Sequence, residues 1–152
     1  MTYKVTKTED GGKLKETFDL DTGDWRLTGA PDITEAHGTL QGLMLADDAV
    51  GAFARDLMGG TLLYAADLVP QIADDVVNID RAMRWGFGWS KGPFELIDAI
   101  GPGRFAEQCR AKLGHTPKML GVLETAGAES FYTEDGRSFL GLDGKLHKVP
   151  AE

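Results

Sequence analysis

The sequence predicts a mainly α domain with small β-hairpins at both ends. Three observations carry that reading. Apolar residues recur at three- and four-residue spacing through the middle of the chain, which is the period of a helix face. Glycine and proline pairs cut that middle into helix-sized pieces. Outside it, short alternating runs are separated by Asp-Gly and Gly-Gly, the chemistry of tight hairpin turns.

Residues 1–45 read as a β-hairpin and linker segment. Tyr3 to Thr8 and Leu14 to Leu20 flank Asp10-Gly11-Gly12, and Asp21-Thr22-Gly23-Asp24 leads into Trp25-Arg26-Leu27. Residues 28–46, polar and broken by Gly29, Pro31, Gly38 and Gly42, read as a linker with room for one short helix. Residues 46–128 are expected to be helical. The strongest pattern runs from Asp47 to Val69, with Val50, Phe53, Ala54, Leu57, Thr61, Tyr64 and Leu68 on one face. Met58, Leu62, Ala65 and Val69 add an adjoining stripe, so burial over much of the circumference is expected. Gly59-Gly60 inside this helix costs about 1 kcal/mol per glycine against alanine, which suggests a closely packed neighbour there.

Shorter helices follow. Asp74-Asp75 opens one that carries Ile79, Ala82 and Met83, and Gly92-Pro93 opens the next, with Glu95 in its first turn and Gly101-Pro102 at its end. Phe105, Cys109 and Leu113 line a third. Thr116-Pro117 caps the last, with Met119, Val122, Leu123 and Ala126 expected to face inward. Residues 129–152 alternate again around Asp135-Gly136 and Asp143-Gly144 and read as a small β-meander tail.

Composition narrows the function. With 42% hydrophobic and 26% charged residues, the 152-residue chain has the makeup of a globular domain. A net charge of −8 repels phosphate backbones and anionic lipid, so neither nucleic acid nor a membrane is an expected partner. An acidic surface alone would also not attract the phosphates of coenzyme A, so any such site would need a local basic pocket. No apolar run approaches the roughly 20 residues that span a bilayer. A single cysteine, Cys109, fits a reducing compartment, and the cytoplasm is the expected location.

The most informative stretch is Asp74-Asp75-Val76-Val77-Asn78-Ile79-Asp80-Arg81-Ala82-Met83-Arg84-Trp85-Gly86-Phe87-Gly88-Trp89-Ser90-Lys91-Gly92-Pro93-Phe94-Glu95-Leu96-Ile97-Asp98-Ala99-Ile100-Gly101. It resembles the C-terminal helical region of bacterial 3-hydroxyacyl-CoA dehydrogenases, in which an "ID.AM..GFG...GPFEL.D..G" run is typical. The resemblance is dense there and looser over residues 50–148. Glu129-Ser130-Phe131-Tyr132 is similar to the segment that leads into an enoyl-CoA hydratase domain in multidomain forms. The family implies NAD-dependent oxidation of 3-hydroxyacyl-CoA to 3-oxoacyl-CoA in fatty-acid β-oxidation. Within it, the helical part closes the acyl-CoA cleft and makes the dimer or interdomain contact. The expected partners are therefore the NAD-binding domain of the same enzyme, acyl-CoA in the parent, and a second copy in a homodimer. The signature and interface residues the resemblance assigns are Asp80, Trp85, Gly86, Phe87, Gly88, Trp89, Gly92, Pro93, Phe94, Glu95 and Asp98.

Two departures shape the expectation. No strand runs into a Gly-x-Gly-x-x-Gly helix start, so NAD belongs to the parent enzyme and no cofactor site is expected in this chain. The family's catalytic helix carries an Asn-Arg dipeptide, whereas this chain reads Ala52-Phe53-Ala54-Arg55-Asp56 and has its single asparagine at Asn78. The chain is therefore read as the second, non-catalytic helical repeat, with no catalytic residue of its own.

Rival readings rest on smaller motifs. Gly88-Trp89-Ser90-Lys91-Gly92 matches the Gly-x-Ser-x-Gly nucleophile elbow, with Asp98, His115 and His147 as nominal partners; that chemistry needs a strand-to-helix turn, and helical periodicity precedes it here. Trp85, Phe87, Trp89 and Phe94 could form an acyl or adenine platform in a stand-alone acyl-CoA-binding module, although core or interface packing is the commoner use of such a cluster. Glu95 and Asp98 read as helix-face carboxylates paired with a cation such as Arg81 or Arg104. His37, His115 and His147 show no metal-ligand spacing with Cys109, so no metal is expected. Cys109 reads as an inert core thiol.

Overall fold

A computed structural model describes residues 3–29, 35–133 and 135–151, and backbone but not side chain for residues 35–36 and 112–113. It divides into two compact units, Met1–Ile33 and Thr34–Glu152.

The first unit is an antiparallel three-stranded meander. β1 (Tyr3–Lys7) pairs with β2 (Lys13–Phe18), and β2 with β3 (Trp25–Leu27), in the order β1-β2-β3. The first turn places Gly11 at φ +82°, a conformation that costs glycine little. Few side chains here are shielded, and Trp25 packs edge-on against Phe18 at 5.4 Å between ring centres.

The second unit holds the hydrophobic core. A 3-10 turn (Glu35–Gly38) leads into α1 (Leu40–Leu45), α2 (Ala49–Ala54), a π turn (Arg55–Gly59) and α3 (Gly60–Asp67). There follow α4 (Val76–Phe87), α5 (Pro93–Ile100), α6 (Pro102–Leu113), α7 (Lys118–Ala126) and the hairpin β4 (Ser138–Leu140) and β5 (Leu146–Lys148). Helix α5 lies at the centre, packed on α1, α3, α4 and α6. Phe94, Ile97 and Ile100 on its inner side are fully buried with Met44, Leu62, Val76, Met119, Leu120 and Phe131. Asp48 and Asp75 cap α2 and α4 by accepting the amides of Gly51 and Asn78, each at 2.8 Å. No helix among the described residues is long and apolar enough to cross a membrane.

The fold is the mainly α one expected, with small sheets at both ends, but several details differ. The one short helix allowed for in the stretch read as a linker is α1, and its fully buried Met44 joins that stretch to the core. Gly51 lets α2 close onto α1: a Cβ there would stand 2.2 Å from the Ala46 carbonyl oxygen. The tail read as a small β-meander shares the helical core through Phe131, Phe139 and Leu140.

The segment from Ala49 to Asp67 runs as one helix interrupted by the π turn, and only one of its two apolar faces is covered. Ala54, Leu62, Ala65, Ala66 and Val69 point inward, while Phe53, Leu57 and Tyr64 are 66, 58 and 68% exposed. Val50 and Phe53 precede the π turn, and Leu57 and Tyr64 lie within and after it, so one side of the helix is bare along its length where burial over much of the circumference was expected. Gly59 meets only the Met44 side-chain tip at 3.7 Å and Gly60 meets nothing within 4 Å, so close packing does not require the glycine pair. On α4 the buried side is Val76, Val77, Ile79 and Asp80, with Ala82 exposed and Met83 half-buried. On α7 Leu120 replaces Ala126 inside. The inward placement expected of Leu113 lies outside the described side chains.

Candidate functional site

The signature segment folds into a crossing between α4, α5 and the tail, with Asp80 as its pivot. Helix α5 begins with free amides that need acceptors. Asp80, 1% exposed, supplies them: Oδ1 accepts the Phe94 amide at 2.8 Å and Oδ2 the Glu95 amide at 3.1 Å. Tyr132 donates its hydroxyl to the same Oδ2 at 2.9 Å. Gly92 lies so close that a Cβ would fall 2.2 Å from the Asp80 Cβ and 2.4 Å from its Cα. Pro93 follows at the first helical position, where its missing N–H costs nothing. Glu95 reaches back to the Gly92 amide at 2.6 Å and faces the Arg84 guanidinium at 3.5 Å. One turn on, Asp98 accepts the amides of Phe131 and Tyr132 at 2.7 and 2.9 Å, which brings Phe131 edge-on to Phe94 at 4.9 Å.

Burial pushes the Asp80 carboxyl up to about 7, against the pull of its three donors and with the nearby Glu95 charge adding to the rise. Burial likewise pushes Asp98 up to about 6, opposed by the Phe131 and Tyr132 amides. The Tyr132 hydroxyl is driven well above its ordinary range by burial and by the Asp80 charge.

Beside the crossing lies a cleft of about 650 Å³ between α4, α5 and the tail. Arg81, Arg84 and Lys91 line it together with Glu95, Asp98 and Tyr132. Arg81 is 8% exposed, donates through Nη2 to the Pro150 carbonyl, and has its guanidinium 5.5 Å from the centre of the Trp85 ring.

The structure thus separates the signature residues into two groups. Asp80, Gly92, Pro93, Phe94, Glu95 and Asp98 meet at the crossing. Trp85 and Phe87 are 64 and 75% exposed near the end of α4, with Gly86 between them, Gly88 at φ +68° closing the helix, and Trp89 half-buried. The four aromatic residues therefore form no single core cluster, and only Phe94 is fully buried. Glu95 takes Arg84 as its cation, in place of Arg81 or Arg104, and Asp98 is occupied by backbone amides. Tyr132 and Phe131 are the members that sequence reading missed. Their sign was an aromatic pair that begins four residues after the glycine ending α7.

The rival sites are not assembled. Ser90 sits in the loop between α4 and α5, so its motif lacks the strand that an elbow needs. His115 pairs with Asp67 at 3.2 Å and His147 with Asp143 at 2.9 Å. No group of three or more His, Cys, Asp or Glu among the described residues could hold a metal ion. Cys109 is fully buried, and burial together with the Asp67 charge pushes its thiol up to about 12, so it stays protonated and unreactive. Arg55, of the stretch compared with the family's Asn-Arg dipeptide, ties the end of α1 to the π turn through the Met44 and Ala46 carbonyls.

Fold and crossing together define a helical domain organised on a buried carboxylate that caps its central helix. Residues 53–132 match the family model described as "3-hydroxyacyl-CoA dehydrogenase, C-terminal domain". The chain belongs to that family. It is 39% identical over 119 residues to the "Probable 3-hydroxyacyl-CoA dehydrogenase" of Bacillus subtilis, covering 76% of this chain and 15% of the relative. The "Putative fatty acid oxidation complex trifunctional enzyme" of Rickettsia felis is 30% identical over 88 residues, covering 58% of this chain and 12% of its own length. The protein of the same description from Rickettsia prowazekii is 27% identical over 88 residues. The chain thus spans 15% or less of the length of these relatives. No solved structure matches it significantly.

Proposed function

We propose that this chain is a non-catalytic helical part of a larger, cytoplasmic, NAD-dependent 3-hydroxyacyl-CoA dehydrogenase of fatty-acid β-oxidation, and that it serves interdomain contact. The observation that carries this reading is the uncovered face of the α2–α3 helix. Val50, Phe53, Leu57 and Tyr64 expose large apolar surface along one side, the arrangement a helix shows when it is built to pack on a partner. The NAD-binding domain of the same enzyme is the partner the family implies, with a second copy as the alternative occupant.

The chemistry of the site supports the non-catalytic half of the reading. The three signature carboxylates Asp80, Glu95 and Asp98 all accept backbone amides and hold the fold together. The Asn-Arg dipeptide of the catalytic helix is absent. NADH oxidation with acetoacetyl-CoA by this chain is expected at background, and clear turnover would overthrow the assignment.

A further inference from the structure

We infer that the cleft beside the crossing is a binding site for a phosphorylated small molecule, with Arg81 and Lys91 as its anion-binding residues. The inference goes beyond the interdomain reading and does not rest on it.

It starts from a charge without a counter-charge. Arg81 is more than nine-tenths buried, yet it forms no ion pair among the described residues. Its one hydrogen-bond acceptor is the neutral Pro150 carbonyl, and its Nε is buried without a partner. A guanidinium withdrawn from water is costly unless an anion meets it. Among the described residues, the acids that line the cleft do not do so. Glu95 is engaged by Arg84 and the Gly92 amide, and Asp98 by the Phe131 and Tyr132 amides. Lys91 is exposed and lines the same cleft, where it adds a cation to Arg81 and Arg84. On a chain of net charge −8 this is a local reversal of sign, which is what a phosphorylated ligand needs.

Size identifies the class of ligand. A cleft of about 650 Å³ falls within the range of small-molecule sites and far exceeds the volume of a free phosphate ion. Guanidinium and ammonium together suit a phosphate monoester, the first by its planar donors and the second as a point charge. The rest of such a ligand would lie along Val77, Tyr132 and Val149, which supply the apolar part of the lining.

Trp85, whose ring lies against the Arg81 guanidinium, reports on the site. Titration of this chain with inorganic phosphate at constant ionic strength, followed by tryptophan fluorescence and by calorimetry, should saturate. Lys91→Ala, at an exposed position, should fold normally and weaken binding about tenfold, the worth of one charged hydrogen bond. Arg81→Gln should abolish it. Coenzyme A and its analogue lacking the 3′-phosphate separate the sources. Tighter binding of coenzyme A would support the site and identify a nucleotide phosphate as its ligand. Equal binding of the two, with phosphate itself still bound, would support it with another organic phosphate as the occupant. No saturation, or saturation unchanged in both variants, would overturn the inference and leave the interdomain reading untouched.

Discussion

Asp80 and Gly92 show how two residues from different helices can be inseparable. The carboxylate reaches the first amides of α5 only because the residue opposite has no side chain. Gly92→Ala should therefore cost about 3 kcal/mol, at the upper end of overpacking, in urea melts of this chain. Asp80→Asn keeps the volume but turns a donor toward an amide, and should cost about 1–3 kcal/mol. Acid chemistry at the same place has a definite sign. Asp80 and Asp98 both start from 3.8 when unfolded and rise to about 7 and about 6 on folding. Between those limits the folded chain binds more protons than the unfolded one, so stability falls as the pH rises from about 4 to about 7 and levels off above. Denaturant melts across that interval should show the decline, and Asp80→Asn should flatten most of it. The signature positions were legible in the sequence as a pattern, but their work was not. Asp98 looked like a helix-face carboxylate because its donors, the amides of Phe131 and Tyr132, lie more than thirty residues away in sequence.

Helices were legible wherever turn chemistry marked their ends. Asp75 before α4, Gly92-Pro93 before α5 and Gly127 after α7 all stand where caps were expected. Asp75→Ala should cost about 1 kcal/mol through loss of its bond to the Asn78 amide, measurable by thermal melting. What periodicity could not show was which of two apolar stripes faces the core. The Ala49–Asp67 helix, interrupted by the π turn at Arg55–Gly59, has both. The uncovered stripe makes a clear distinction between folding and assembly. Phe53→Glu with Leu57→Glu should leave the melting of this chain within about 0.5 kcal/mol of the parent, as exposed substitutions do. In the longer enzyme the same pair should loosen the contact and expose the region to limited proteolysis. A large loss of stability in the isolated chain would mean that this face is part of the fold itself.

At the scale of the molecule, the mainly α architecture and the end sheets followed from composition and periodicity, and the family from the signature segment. The union of the tail with the helical core did not. Phe131, Phe139 and Leu140 sit in a turn-rich, alternating stretch whose burial depends on the Asp98 bonds and on the face of α4 beneath β4. The cleft was also invisible in the sequence, because its cations come from one helix and one loop while its walls come from the tail. The central claim is that this domain works as a piece of a larger dehydrogenase, through a helix face left bare for its partner. The most direct measurement is the size of the native gene product, by immunoblot of cell extract with an antibody against this domain. The account predicts a band several times larger than 152 residues would give. A band at the size of this chain would contradict it and would make the phosphate-binding cleft the first place to look for an independent role.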